Sequence, residues 1–288
     1  MLVYAPVPSI AEIHDYYVDA TRMYSRYSVG TGGWHIGVWD EGVSSHGQAI
    51  LATNRRLLAG LAIDANTHIL DAGFGSGSLA IWAARQFGCR VTGITAVPMH
   101  VAMAQLSAAM AGVGHLCDFQ HMDMTAMTFP DASFDLVTNQ ETLCYVEDKR
   151  RYLRDVRRVL RPGGAWRTLD GALPERPLSA LAERRHRRVC EGYRMFPEPR
   201  VSEVEEWLDA AGFHRDPTED LTALTIPGMR GRLRPAPAAA RAAWRREQER
   251  HARGAATHRA HVAAGRAFAR GVIDGDFAYV RYAAITPS

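Results

Sequence analysis

Residues 68–80, His-Ile-Leu-Asp-Ala-Gly-Phe-Gly-Ser-Gly-Ser-Leu-Ala, constrain this chain more than any other stretch. An apolar strand ends in Asp71, glycines follow at every second position (Gly73, Gly75, Gly77), and an apolar helix starts near Leu79. Alternating glycines let the backbone turn tightly and come within contact distance of a ligand. The helix behind them aims its N-terminal N–H groups into the turn. The pattern predicts a strand–loop–helix nucleotide site. A dinucleotide fingerprint would put its third glycine where Ser78 stands, and a phosphate loop would end in Gly-Lys-Ser/Thr, which is absent. Asp71 suits a ligand with a positively charged head better than a pyrophosphate. A nicotinamide or flavin nucleotide, and a tight turn that binds nothing, are the competing readings.

The rest of the chain supplies the frame for such a turn. Strand 67–71 leads to helix 78–87, and strand 90–95 to helix 99–111, closed by Gly112. A short strand near 118–121 follows, then strand 134–139, helix 147–160 and strand 165–169. Tyr152, Leu153, Val156, Val159 and Leu160 give helix 147–160 one apolar stripe, and Arg161-Pro-Gly-Gly164 stops it. This alternation predicts a doubly wound parallel sheet covered on both faces. Upstream, Ser9-Ile-Ala-Glu12 reads as a capping box ahead of a helix carrying Ile13, Tyr16, Tyr17 and Met23. Residues 32–42, rich in glycine and aromatics, read as a loop, and 48–62 as a helix. Beyond residue 171 the regularity loosens. An arginine-rich helix is expected over 176–193, a helix capped by Ser202-x-x-Glu205 after it, and a helical stretch over 236–271. A strand over 277–285 is expected to return to the sheet.

Bulk composition excludes several classes. Apolar content of 47% and a net charge of +3 are those of an ordinary globular protein. The four cysteines, Cys89, Cys117, Cys144 and Cys190, form no CxxC pair, so reduced thiols and no cysteine-based zinc site are expected. No basic residue precedes Arg22 and no apolar run approaches the ~20 residues of a membrane span, which predicts a cytoplasmic protein with no membrane partner. His258 and His261 share a helix face without an acidic neighbour in sequence and read as a solvated pair; no metal is expected. Arg184, Arg185, Arg187 and Arg188 read as a solvated helix face, with a diphosphate site as the alternative. Balancing acids and the lack of interleaved aromatics argue against nucleic acid.

The Asp-x-Gly-x-Gly-x-Gly run resembles the first motif of the class I S-adenosylmethionine (SAM) methyltransferases, and the likeness covers about residues 30–170. Arg90-Val-Thr-Gly-Ile-Thr-Ala-Val-Pro-Met-His100 is similar to the second-strand signature of one subset. That subset holds sterol, tocopherol and prenyl C-methyltransferases, cyclopropane synthases and natural-product methyltransferases. The resemblance implies an α/β Rossmann-like doubly wound sheet. It divides the chain into an N-terminal helical cap (1–60), a SAM-binding core (61–171), a lid with helices (172–272) and a final core strand (273–288). It implies SAM as cofactor and S-adenosylhomocysteine as product. Asp71, Gly73, Gly75 and Gly77 would form the turn around it. Thr95 stands where many relatives place an acid for the ribose diol; with Ala96 beside it, His100 would hydrogen-bond the ribose instead. His121-Met-Asp-Met124 resembles the adenine motif, with Asp123 on the amino group and Met124 on the ring. Phe129-Pro-Asp-Ala-Ser-Phe-Asp-Leu-Val137 resembles the passage into the fourth strand, which Asn139 and Gln140 would end beside the cofactor. Asn139-Gln-Glu-Thr142 does not match the motif of DNA amino-methyltransferases.

Trp34-His-Ile-Gly-Val-Trp39 resembles a stretch whose aromatics close over the sulfonium through cation–π contact. The resemblance puts Glu141 in the subset's acidic position, facing the methyl group, as general base or cation stabiliser, or as an orienting carboxylate. Tyr145 would hydrogen-bond the substrate or pack. His35, in the capping loop with a pKa naturally near neutral, is the histidine candidate for a base. The expected reaction is methyl transfer to a small molecule of bacterial specialised metabolism, leaning to a carbon nucleophile such as an alkene or an electron-rich ring. N- or O-methylation is the alternative, and a nucleic-acid or protein substrate the remoter one. Whether the N-terminal helix covers its own site or a neighbour's in a homo-oligomer stays open.

Overall fold

The computed structural model describes residues 8–27, 32–234 and 252–288. Two helices, α1 (Ile10–Tyr27) and α2 (His46–Leu57), precede the first strand. Ser9 and Glu12 close a reciprocal capping box on α1: the Glu12 N–H donates to the Ser9 hydroxyl at 3.2 Å and the Ser9 N–H to the Glu12 carboxylate at 2.9 Å. Ser45 and Gln48 do the same for α2.

The core runs β1 (His68–Ala72), α3 (Ser78–Phe87), β2 (Arg90–Thr95), α4 (Pro98–Met110), β3 (Cys117–His121), β4 (Phe134–Gln140), α5 (Lys149–Val159) and β5 (Leu160–Ala172). Then come α6 (Ala180–Tyr193), α7 (Val201–Ala210), two short strands β6 (His214–Arg215) and β7 (Glu219–Asp220), α8 (Thr222–Leu233), α9 (Ala252–Ile273) and β8 (Ala278–Ile285). The sheet order is β3-β2-β1-β4-β5-β8-β6, with β7 also on β8. The first five strands are parallel, and β8 lies antiparallel to β5 from Ala165↔Ile285 to Ala172↔Ala278.

Period-two alternation buries both faces of this sheet. Ile69, Leu136, Leu169 and Tyr279 face one core with α2, α3 and α4, while Leu70, Val137, Trp166 and Val280 face the other with α5 and α7. The stripe expected on α5 is buried as read: Tyr152, Leu153, Val156 and Val159. Strand order reverses between β1 and β4, so a crevice opens at the carboxyl ends of those strands.

Three details differ from the sequence reading. Arg161-Pro-Gly-Gly164 does not separate helix from strand. Leu160 already pairs with Phe134, and pairing resumes at Ala165↔Leu136, so the four residues bulge out within β5. Ser202 does not cap α7, because its hydroxyl donates to Glu175 at 2.7 Å and Arg200 stands at the cap position. The two-residue strands β6 and β7 are too short to leave a period in the sequence. Of the helical stretch expected over 236–271, residues 252–271 lie in α9, and 236–251 fall outside the described residues. No helix among the described residues is long and apolar enough to cross a membrane.

Candidate active site

The crevice above β1 and β4 deepens into a cavity enclosing about 1390 Å³ of space between atoms, part of it open to solvent. One wall comes from the turn after β1 and the ends of β2 and β4: Asp71, Gly73, Gly75, Thr95, Ala96, His100, Met124, Gln140 and Glu141. Gly73, Gly75 and Gly77 all have positive φ (+87°, +54° and +77°), which alanine would resist. The three glycines differ in what they face. A Cβ on Gly73 would lie 2.6 Å from the Thr142 methyl, and one on Gly77 2.9 Å from Ala104, so packing alone forbids both. A Cβ on Gly75 would meet the Trp34 ring at 3.3 Å, on the cavity side.

Several buried polar atoms on this wall lack a partner. Asp71 accepts from Thr138 at 3.2 Å through Oδ1, but its Oδ2 accepts nothing. Burial pushes the Asp71 carboxyl up to about 7. His100 shares Nε2 with the Thr21 hydroxyl at 2.8 Å and leaves Nδ1 unpartnered. Burial lowers its pKa to about 4, so it is neutral and able to donate or accept. The Thr95 hydroxyl accepts from the Val97 N–H at 3.2 Å and keeps its own proton to donate. An unpaired carboxylate oxygen, a neutral imidazole and a hydroxyl in one crevice fit a ligand with a cationic head and a diol.

Glu141 stands at the end of β4 with φ +55°, a conformation that costs a non-glycine residue energy and clusters at functional positions. Its Oε1 accepts from the Ile36 N–H at 2.5 Å and from the Tyr279 hydroxyl at 2.9 Å. Burial raises its pKa; the hydrogen bonds from Ile36 and Tyr279, and then the Arg232 guanidinium, work against that rise. His35 also lines the cavity, but burial lowers it to about 4, away from the neutral value expected of a base. Its Nδ1 faces the Ile36 carbonyl at 3.1 Å and Nε2 is unpartnered.

The opposite wall is a cage of rings. Tyr24 stacks on Trp34 (centroids 5.1 Å, planes 16° apart), and Tyr17 meets Tyr145 edge-on at 5.5 Å. Tyr193 meets His261 at 5.1 Å, and Tyr145 donates to the Tyr193 carbonyl at 3.1 Å. Ile13, Tyr17 and Tyr24 belong to α1, so α1 covers this chain's own cavity. Arg232 from α8 also reaches in, hydrogen-bonded to Tyr193.

Three residues expected at the cofactor are not on the cavity wall. Asn139 is fully buried below it: its amide donates to the Ala72 carbonyl (3.1 Å) and the Thr142 hydroxyl (3.0 Å), and its oxygen accepts from Tyr152 (2.7 Å) and Trp166 (2.9 Å). With every polar group used, it joins β1, β4, α5 and β5 rather than binding a ligand. Asp123 caps the short helix Met124–Ala126 through Thr125 at 2.8 Å, and Gly77 packs on α4. Two aromatic expectations also change. Trp39 lies under α8, where a Cβ on Gly228 would touch its indole nitrogen at 2.9 Å, so of the Trp34–Trp39 pair only Trp34 lines the cavity. His258 and His261 are not a solvated pair: His258 is buried against Met23, and His261 pairs with the Tyr16 hydroxyl at 2.7 Å.

The arginine cluster of α6 does not reach the cavity. Arg185 pairs with Asp274 (2.7 Å) and Asp276 (2.5 Å), and Arg184 and Arg188 line an outer groove toward α9. The sequence reading missed Tyr24, Tyr193, Arg232, His261 and Tyr279. Tyr279 alone left a signal, as an apolar-face position of an alternating strand.

A methyltransferase domain model matches residues 70–167. The chain is 33% identical over 195 residues to 27-O-demethylrifamycin SV methyltransferase of Amycolatopsis mediterranei (strain S699), covering 67% of this chain and 71% of that one. Among solved structures it resembles the 4+2 cyclase SpnF, at TM-score 0.76, 25% identity and 99% coverage of both chains. It also resembles geranyl diphosphate C-methyltransferase from Streptomyces coelicolor A3(2), solved with S-adenosylhomocysteine, at TM-score 0.77 and 98% coverage of both; at 19% identity this is a likeness of fold.

Proposed function

The chain belongs to the SAM-dependent methyltransferases, of the kind that act on natural products, and on that premise we propose that it methylates a hydroxyl of an oxygenated small-molecule scaffold. The observation that carries this reading is the Glu141 carboxylate, raised by burial, at the junction of the cofactor wall and the polar, tyrosine-rich cage. SAM, when bound, supplies an electrophilic methyl group on a sulfonium.

The chain's residues do the rest. Asp71 Oδ2 would hold the cationic head of the cofactor, its carboxyl proton passing to solvent as it ionises. His100 Nδ1 and the Thr95 hydroxyl would take the ribose and Met124 the adenine, with Ala96 and Gln140 completing the wall. Trp34 closes over the turn at Gly75 and, with Tyr24, excludes water. Glu141 accepts the proton of the acceptor hydroxyl; Tyr279 and the Ile36 N–H fix its oxygen for this. Arg232 and Tyr193 anchor a second polar oxygen of the acceptor, and Tyr145 shapes the cage. His35, held neutral, is a hydrogen-bonding partner rather than a base. A carbon nucleophile is the second reading, favoured by the ring faces of Tyr17, Tyr24 and Trp34, which would stabilise a developing cation.

The test is incubation with SAM carrying a deuterated methyl group and a panel of acceptors, among them 27-O-demethylrifamycin SV and geranyl diphosphate. Product mass and fragmentation are then read. Label on oxygen is expected. Label on carbon overturns this reading in favour of the second. An acceptor converted without gaining label points to ring formation, the reaction named for the cyclase of the same fold.

A further inference from the structure

Behind the acceptor side of the cavity, three potential ligands meet that methyl transfer does not use. His186 and Cys190 are four residues apart on α6, so they share one helix face. Glu198 comes from the segment Pro197-Glu-Pro199, where two fixed φ angles hold it against them. All three are buried, and His186 Nε2, Cys190 Sγ and a Glu198 carboxylate oxygen lie within 4.8 Å of one another. Cys190 Sγ is 3.6 Å from His186 Nε2, and Glu198 Oε2 contacts the same nitrogen. A tetrahedral zinc with Zn–S of about 2.3 Å and Zn–N of about 2.1 Å holds sulfur and nitrogen about 3.6 Å apart.

We propose that His186, Cys190 and Glu198 form a zinc site that ties the Pro197–Pro199 segment to α6. The choice of metal follows from the donors: one thiolate, one imidazole and one carboxylate suit zinc, whereas magnesium and calcium take oxygen. A divalent ion with one thiolate and one carboxylate is neutral overall, which suits a buried position. Binding releases the Cys190 thiol proton to solvent. Coordination needs a bare His186 Nε2, the atom that also faces the Glu198 N–H at 3.3 Å; a proton held there moves to Nδ1 or to solvent. The contact between His186 and Glu198 opens to admit the ion. Glu198 belongs both to this cluster and to the cavity wall, with Oε1 placed 3.2 Å from where a Cβ on Gly171 would stand. The ion therefore sets the shape of the acceptor side without touching the turn at Gly75. The sequence predicts no metal, because the four cysteines form no CxxC pair and the partner of Cys190 is a histidine four residues away.

The full chain, freed of metal by chelator and dialysis, is titrated with Co²⁺ and then with Zn²⁺. One equivalent of Co²⁺ with a thiolate-to-cobalt charge-transfer band, displaced by Zn²⁺, is expected. Cys190→Ser should abolish the band, and Glu198→Gln should weaken Zn²⁺ binding by about 10-fold or more while SAM affinity is unchanged. No band in the wild-type chain overturns the proposal, whatever the variants do. So does a band retained in Cys190→Ser, which would assign it to Cys89, Cys117 or Cys144. SAM binding and methyl transfer are measured separately, so failure of the metal site and failure of the proposed reaction are told apart.

Discussion

The two walls of the cavity are built on different plans. The cofactor wall is made mostly of short runs at the carboxyl ends of β1, β2 and β4, three adjacent strands. Its polar atoms are sparse, buried and partly unpartnered. The acceptor wall draws Tyr17, Tyr24, Tyr145, Tyr193, Arg232, His261 and Tyr279 from α1, the β4–α5 connection, α6, α8, α9 and β8. Its groups satisfy one another, as Tyr145 does with Tyr193 and Tyr279 with Glu141. A wall made from contiguous motifs keeps one ligand. A wall collected from separate helices can change residue by residue and accept a new substrate while the cofactor stays.

The sharpest way to break this contrast is Gly75→Leu. A side chain there must displace Trp34 and adopt a positive φ, so SAM binding should fall by more than about 10²-fold in titration calorimetry while the chain still folds. Normal affinity would place the cofactor elsewhere. Next comes Asn139→Ala, which leaves the Tyr152 hydroxyl and Trp166 N–H buried without an acceptor. At about 1–3 kcal/mol for each, a loss of about 4 kcal/mol in urea unfolding is expected, where a cofactor ligand would show only weaker SAM binding. Glu141→Gln tests the junction of the walls: turnover should drop about 10²-fold with SAM affinity within about threefold of wild type. Equal loss of both would make Glu141 part of the cofactor wall.

The smallest effect is in pH. In the free protein burial keeps the Asp71 carboxyl protonated up to about pH 7, well above its ordinary 3.8. The folded state therefore holds a proton that the unfolded chain has lost, and this group costs the free protein stability as pH rises from about 4 to 7. A cationic ligand favours the ionised form, so SAM affinity should fall about tenfold per pH unit below 7 and level off above it. Calorimetry in buffers of different ionisation heat should show about one proton released at pH 6. Asp71→Asn should flatten the profile, and a profile that stays steep would move the titration to another group.

What was legible follows the same division. Asp71 to Leu79, the β2 signature and the stripe on α5 are local patterns whose period or spacing is the structure, and each lands where the sequence puts it. Asn139 looked like a ligand because it ends a strand at the right place. Only the positions of Tyr152 and Trp166, 13 and 27 residues away, show that its amide is already used. His258 and His261 looked solvated because the tyrosines and Met23 that bury them come from the other end of the chain. Arg232 had no pattern at all; α8 carries Pro227 and Gly228 in its interior, with no clear apolar stripe to announce which face turns inward.

Trp34 faces Gly75, where an added Cβ would meet its ring at 3.3 Å, and it stacks on Tyr24. An indole held this way is a built-in optical gauge. Anything that slides between ring and turn must change its emission, so the arrival of a ligand can be timed by stopped-flow fluorescence without a label. The chain has six tryptophans, and the difference between wild type and Trp34→Phe isolates this one.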